Sequence, residues 1–142
     1  MSLHMATFTF GVIGSAVLLV CGCGKAHQRH SITGSVTLDG KPLENGQITF
    51  VPQLNTSGPT AGGSVINGKF DIPAEHGVFA GNFRVEIVAS RPTGNKSPDR
   101  FTGELTEEVR QIIPRRFNAD STLQAEVKSS EGNHFEFAIS SR

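Results

Sequence analysis

The stretch ITGSVTLDGKPLENGQITFVP, residues 32–52, decides how the rest of the chain is read. Its first seven residues alternate strictly, with Ile32, Gly34, Val36 and Leu38 on one side and Thr33, Ser35 and Thr37 on the other. A period of two belongs to a half-buried strand, because successive strand side chains point to opposite faces. Asp39-Gly40 then supplies a turn, and Pro42, which has no N–H to give a ladder, keeps its segment at an edge. Residues 47–51 (QITFV) resume the pattern and direct Ile48 and Phe50 to the same core.

The same period recurs outward from this stretch. SVINGKFDI, residues 64–72, is a hairpin signal, since Asn67-Gly68 suits a two-residue turn with positive φ at both positions. Residues 82–89 (NFRVEIVA) bury Phe83, Val85 and Ile87 while Arg84 and Glu86 face out. Residues 122–128 (TLQAEVK) and 134–139 (HFEFAI) turn Leu123, Ala125, Val127, Phe135, Phe137 and Ile139 inward. The expected fold is therefore all-β: a seven-stranded antiparallel β-sandwich over residues 32–142. Residues 91–118 break the pattern. They are polar, contain Pro92, Pro98 and Pro114, and are read as a long inter-strand excursion with a short helix over residues 107–112 that Pro114 ends.

Totals narrow the function. The chain has 142 residues, 13 Lys and Arg against 13 Asp and Glu, and no run of five like charges, which excludes a nucleic-acid binder that works by charge. Ten Phe with no Tyr and no Trp supply core but none of the amphipathic rings on which sugars usually stack.

The N-terminus reads as targeting sequence. Residues 1–24 contain no Asp, Glu, Lys or Arg, and residues 8–20 (FTFGVIGSAVLLV) are apolar apart from Thr9 and Ser15. That run has the length of an export-signal apolar region and is shorter than the roughly 20 residues of a spanning helix. Leu19, Val20, Cys21, Gly22 and Cys23 resemble the bacterial lipobox, in which a small residue precedes the cysteine that receives a diacylglyceryl group. Gly22 selects Cys23 as the attachment point, whereas Cys21 follows the bulkier Val20 and leaves with the signal. The usual cationic start is replaced by His4, and Met5 is an alternative start. Residues 1–22 are then a lipoprotein signal peptide and residues 23–31 a polar tether. Two other readings of the segment are an uncleaved anchor helix with incidental thiols, and a metal cluster of Cys21 and Cys23 with His27 and His30.

A family resemblance follows from two motifs. GSVTLDGKPLENGQITFVP resembles small bacterial lipoproteins with a carboxypeptidase regulatory-like or transthyretin-like domain, keeping Gly34, Val36, Asp39, Gly40, Pro42, Leu43, Gly46, Phe50 and Pro52. IPRRFNADSTLQAEV resembles a second motif of that family, with Phe117 where Tyr is common. The resemblance implies a prealbumin-type sandwich at the cell envelope; separately, no cofactor is expected. That scaffold also hosts a hydrolase of 5-hydroxyisourate with a C-terminal Tyr-Arg-Gly-Ser. This chain ends in Ile139-Ser140-Ser141-Arg142 and lacks Tyr, so the expectation is that it is not an enzyme.

The expected function is a lipid-anchored, exported module, structural or protein-interacting, held on a bacterial membrane at its outer-membrane or periplasmic face. Its partners are the membrane, through the lipid on Cys23, and another envelope protein. Phe101, Arg115, Arg116 and Phe117 mark the ligand or partner loop. A carbohydrate-binding accessory module is one alternative, resting on Phe79, Phe101 or Phe117. A metal-binding envelope protein using Cys23, His27 and His30 is the other. His76 and His134 read as solvated surface, and so do the acids Asp99, Glu104, Glu107 and Glu108, which form no calcium-loop pattern.

Overall fold

The computed structural model describes residues 27–130 and 132–142. The expected signal peptide over residues 1–22, with Cys21, and the expected attachment residue Cys23 lie outside the described residues. Within them ten strands follow in chain order: β1 (Ile32–Leu38), β2 (Lys41–Pro42), β3 (Asn45–Pro52), β4 (Ala61–Ile66), β5 (Lys69–Ile72), β6 (Gly81–Val88), β7 (Ser90–Pro98), β8 (Leu105–Gln111), β9 (Gln124–Val127) and β10 (His134–Ile139). Between them stand two single 3-10 turns, Ala74–His76 and Arg115–Phe117. The chain is all-β, as alternation predicts.

Local chemistry places the corners. Asp39 and Gly40 (φ 52° and 79°) join β1 to β2, and Asn67 and Gly68 (φ 51° and 75°) join β4 to β5. Two successive positive φ values match the right-handed twist of flanking strands, and the Asx-Gly pair tolerates them best. Pro42 sits in the two-residue strand β2, which pairs only along Thr37 and Leu38 of β1.

The main sheet runs β10-β1-β5-β4-β3-β6-β9, with β2 beside β1. It is curled rather than flat. Four strand steps separate β10 from β3, which would be about 19 Å in a flat sheet. Yet the Phe50 ring on β3 lies 6.1 Å from Phe135 and 6.5 Å from Phe137 on β10, centroid to centroid. The inner face must therefore close on itself. The bend falls where pairing thins, since β4 and β5 share the single pair Ile66–Lys69. Ile32, Ile48, Phe50, Phe83, Val85 and Ile87 are sealed inside with no exposure.

Three expectations are corrected. All seven expected strands are present, but the sheet is not antiparallel throughout: β10 pairs β1 in parallel, Thr33 with His134 through Leu38 with Ile139. The curl brings the two sheet ends near each other, and the link of residues 128–133 carries the chain from β9 across that gap. Asn133 ties the link with both ends of its amide, accepting from Lys128 N at 2.8 Å and donating to Lys128 O at 3.1 Å. Second, the strand count exceeds seven, because β2, β7 and β8 add to it. Third, residues 107–112 are not a helix. A six-residue helix without a cap cannot repay its nucleation, and β8 instead finds a ladder partner in β7.

Candidate functional site

The excursion is a two-stranded ribbon, β7 with β8, paired to no strand of the main sheet. Its root is fixed. Ile113 is buried in the core, Ile112 N donates to Ala89 O at 2.8 Å, and Gln111 Oε1 accepts from Ala89 N at 3.0 Å and Ile113 N at 3.1 Å. Beyond the root every residue of β8 is exposed.

Register decides which side chains share a face. Ser90 pairs with Gln111, Pro92 with Val109, Lys96 with Glu107 and Pro98 with Leu105; the intervening break on β7 takes up residues 93–95. Directly opposed residues of an antiparallel pair lie on the same face. One face thus carries the apolar pairs Pro92–Val109 and Pro98–Leu105 with Lys96 and Glu107 between them, while the other carries Arg91, Arg110, Glu108 and Thr106. Leu105 and Val109 are 68% and 65% exposed, which is unusual for such side chains in a row.

The tip is a built turn. Asp99 Oδ1 accepts from Phe101 N and Thr102 N, each at 2.8 Å, and from Thr102 Oγ1 at 3.2 Å. These donors, the Thr102 amide foremost, hold the Asp99 carboxyl below the usual carboxylate range. The turn presents Phe101 to solvent, 94% exposed.

The expected loop of Phe101, Arg115, Arg116 and Phe117 does not form one site. Phe101 stands at the tip, and about 23 Å of strand separates it from the 3-10 turn that holds the other three. Those three have internal work. Arg115 Nε donates to Asp120 Oδ2 at 2.8 Å, Arg116 donates to Ser140 O at 3.2 Å and lies 4.6 Å over the Phe117 ring, and Phe117 packs against the core. Asn118 Nδ2 donates to Ile113 O at 2.9 Å and the Ser121 hydroxyl to Val85 O, so the motif IPRRFNADSTL fastens the ribbon root to β6.

Other candidates fall elsewhere. His134 shares a hydrogen bond with Thr33 Oγ1 at 3.1 Å on the outer sheet face, where a shallow depression of about 960 Å³ also meets Ser35, Lys69, Asp71 and Glu136. Sequence reading misses this cluster because alternation marks the inward face of β10 but not the strand it pairs with, which is what brings His134 beside Thr33. His76 ends the first 3-10 turn and is exposed. The His27 ring lies 5.1 Å from Phe79, and His30 pairs backbone to backbone with Val78, so this part of the tether runs along the domain. Among the described residues no three His, Cys, Asp or Glu side chains are grouped to hold a metal, and no helix is long and apolar enough to cross a membrane.

No family model matches the chain, and no curated protein matches it. Among solved structures it is similar to a 9R-lipoxygenase from Cyanothece PCC8801, with 15% identity and a TM-score of 0.38 over 79% of this chain and 16% of that one. The chain thus spans about a sixth of the neighbour's length, and a likeness of this size carries no argument about activity. The neighbour is an enzyme and settles nothing for this chain, but the expectation that this chain is not one is withdrawn on its own terms. Its basis was too narrow, since it set the chain against one hydrolase and not against catalysis at large.

Proposed function

We propose that this protein is a lipid-anchored module of the bacterial cell envelope that offers its β7–β8 ribbon to a protein partner at the envelope. The observation that carries this reading is the exposed apolar row Pro92, Val109, Pro98 and Leu105 on a ribbon that no strand of the main sheet covers. A projecting ribbon with one apolar face is costly to leave in water and suits docking by its face or by its two open edges. The lipobox-like run before Cys23 supplies the anchor, and each methylene buried from an acyl chain adds about 0.8 kcal/mol to membrane attachment. The domain reading is a transthyretin-like sandwich. The thinning of the sheet to one pair between β4 and β5, with Phe50 against β10, supports two facing halves.

Two measurements test the proposal. Mass spectrometry of the mature N-terminus should find an acylated Cys23, and an intact Met1 or Met5 would sink the anchor. A photo-crosslinking residue placed at Val109 should capture a protein partner in cells while one at Glu108, on the opposite face, should not. Equal capture from both faces would remove the ribbon face as the docking surface.

A further inference from the structure

The apolar face of the ribbon complements itself. Along it each apolar residue of β7 sits beside an apolar residue of β8, Pro92 beside Val109 and Pro98 beside Leu105. Between those pairs stand its only two charges, Lys96 on β7 and Glu107 on β8, opposite each other. Neither is held in an ion pair: among the described residues the paired groups are Arg84 with Glu86 and Arg115 with Asp120.

A second ribbon, laid face to face about a two-fold axis that runs along the ribbon midway between its strands, receives β7 over β8 at unchanged height. Every register pair is then repeated across the interface. Pro92 meets Val109 of the second copy, Pro98 meets Leu105, and Lys96 meets Glu107, each twice, as a two-fold contact requires. A two-fold axis set across the ribbon at the charged pair would stack Lys96 on Lys96 and Glu107 on Glu107, which like-charge repulsion opposes. Charge thus selects one of the two arrangements.

We infer that the occupant of this face is a second copy of the chain, stacked about a two-fold axis along the ribbon, with Lys96 and Glu107 setting its orientation. The inference rests on reading the ribbon as a docking surface. Both ribbons then point the same way, which suits two copies standing on one membrane. The face is small, about 23 Å by about 10 Å, well under a standard interface, so association is weak until anchoring raises the local concentration.

Sedimentation of the full chain, in density-matched detergent where it carries a lipid, reads the association directly. The wild-type chain should dimerise as concentration rises. Lys96→Glu and Glu107→Lys should each shift the midpoint about tenfold upward, because each puts like charges at both contacts. An equimolar mixture of the two variants should return to the wild-type midpoint. In the mixed pair each substituted side chain meets the other variant's substituted side chain, acid against base, and the unchanged Lys96 and Glu107 meet each other. The charges within either chain stay unmatched, so in-chain pairing cannot mimic the result. Both positions are exposed, and unchanged circular dichroism shows that folding is intact. A wild-type chain monomeric at every concentration, or a mixture no tighter than either variant alone, overturns the inference. Capture of a different protein at Val109 by a monomeric chain would overturn it while leaving the docking role of the ribbon in place.

Discussion

Gly34 has no room for a side chain. A Cβ there would stand 2.0 Å from the Phe135 carbonyl oxygen and 2.6 Å from the Phe70 ring. The ring could turn aside, but the carbonyl belongs to the parallel strand β10 and cannot retreat without opening the β1–β10 pairing. Gly34→Ala should therefore cost about 3 kcal/mol, the upper end of overpacking, read as a shift of the denaturant midpoint. A loss below ~1 kcal/mol would mean that β10 slides freely past β1. Alternation alone marks Gly34 as inward-facing and the family resemblance marks it as kept, yet neither says what it touches. That neighbour comes from the far end of the chain.

At the scale of the element, the ribbon is where sequence and structure part. Residues 105–111 (LTEEVRQ) set Leu105 and Val109 four apart, a spacing that suits one face of a helical turn and equally one face of a strand. So short a segment holds no decisive signal, and the pairing partner β7 settles it. The proline-rich composition of residues 91–118 did identify the segment as separate, and Pro98 and Gly103 bracket its tip. The Asp99 turn gives the ribbon a pH dependence. Its folded pKa lies below the unfolded value near 3.9, so the turn is stabilised at neutral pH and loses that support as pH falls through the lowered native value. Nuclear magnetic resonance of the Phe101 and Thr102 amides should show both moving together with a midpoint under about 3.9, and Asp99→Asn should abolish the transition. A midpoint above that of a free Asp would mean that the two amides are not donating to the carboxylate.

For the whole molecule, closure depends on the C-terminal strand. Phe137 and Ile139 are buried, and Phe135 and Phe137 complete the aromatic group around Phe50 and Phe70. Phe137→Ala should cost about 3–5 kcal/mol, as for other buried phenylalanines, and should weaken β1 and β3 together, since the ring spans the curl. Hydrogen exchange resolves this: amides of β1 and β3 should lose protection in step while ribbon amides, which belong to a separate two-stranded sheet, change little. Loss confined to β10 would show that the curl holds without it.

The sequence by itself determined the strands of the main sheet other than β2, their inward faces and both Asx-Gly corners, because alternation and turn chemistry are local properties of a few adjacent residues. It also set the N-terminal segment apart by composition and spacing. Only the tertiary structure decided the direction of β10, the conformation of residues 105–111, the separation of Phe101 from Arg115, Arg116 and Phe117, and the match of Lys96 to Glu107. Each of those depends on which distant backbone supplies the ladder partner, and a hydrogen-bonding row along a strand accepts any suitable edge that the closing core brings beside it.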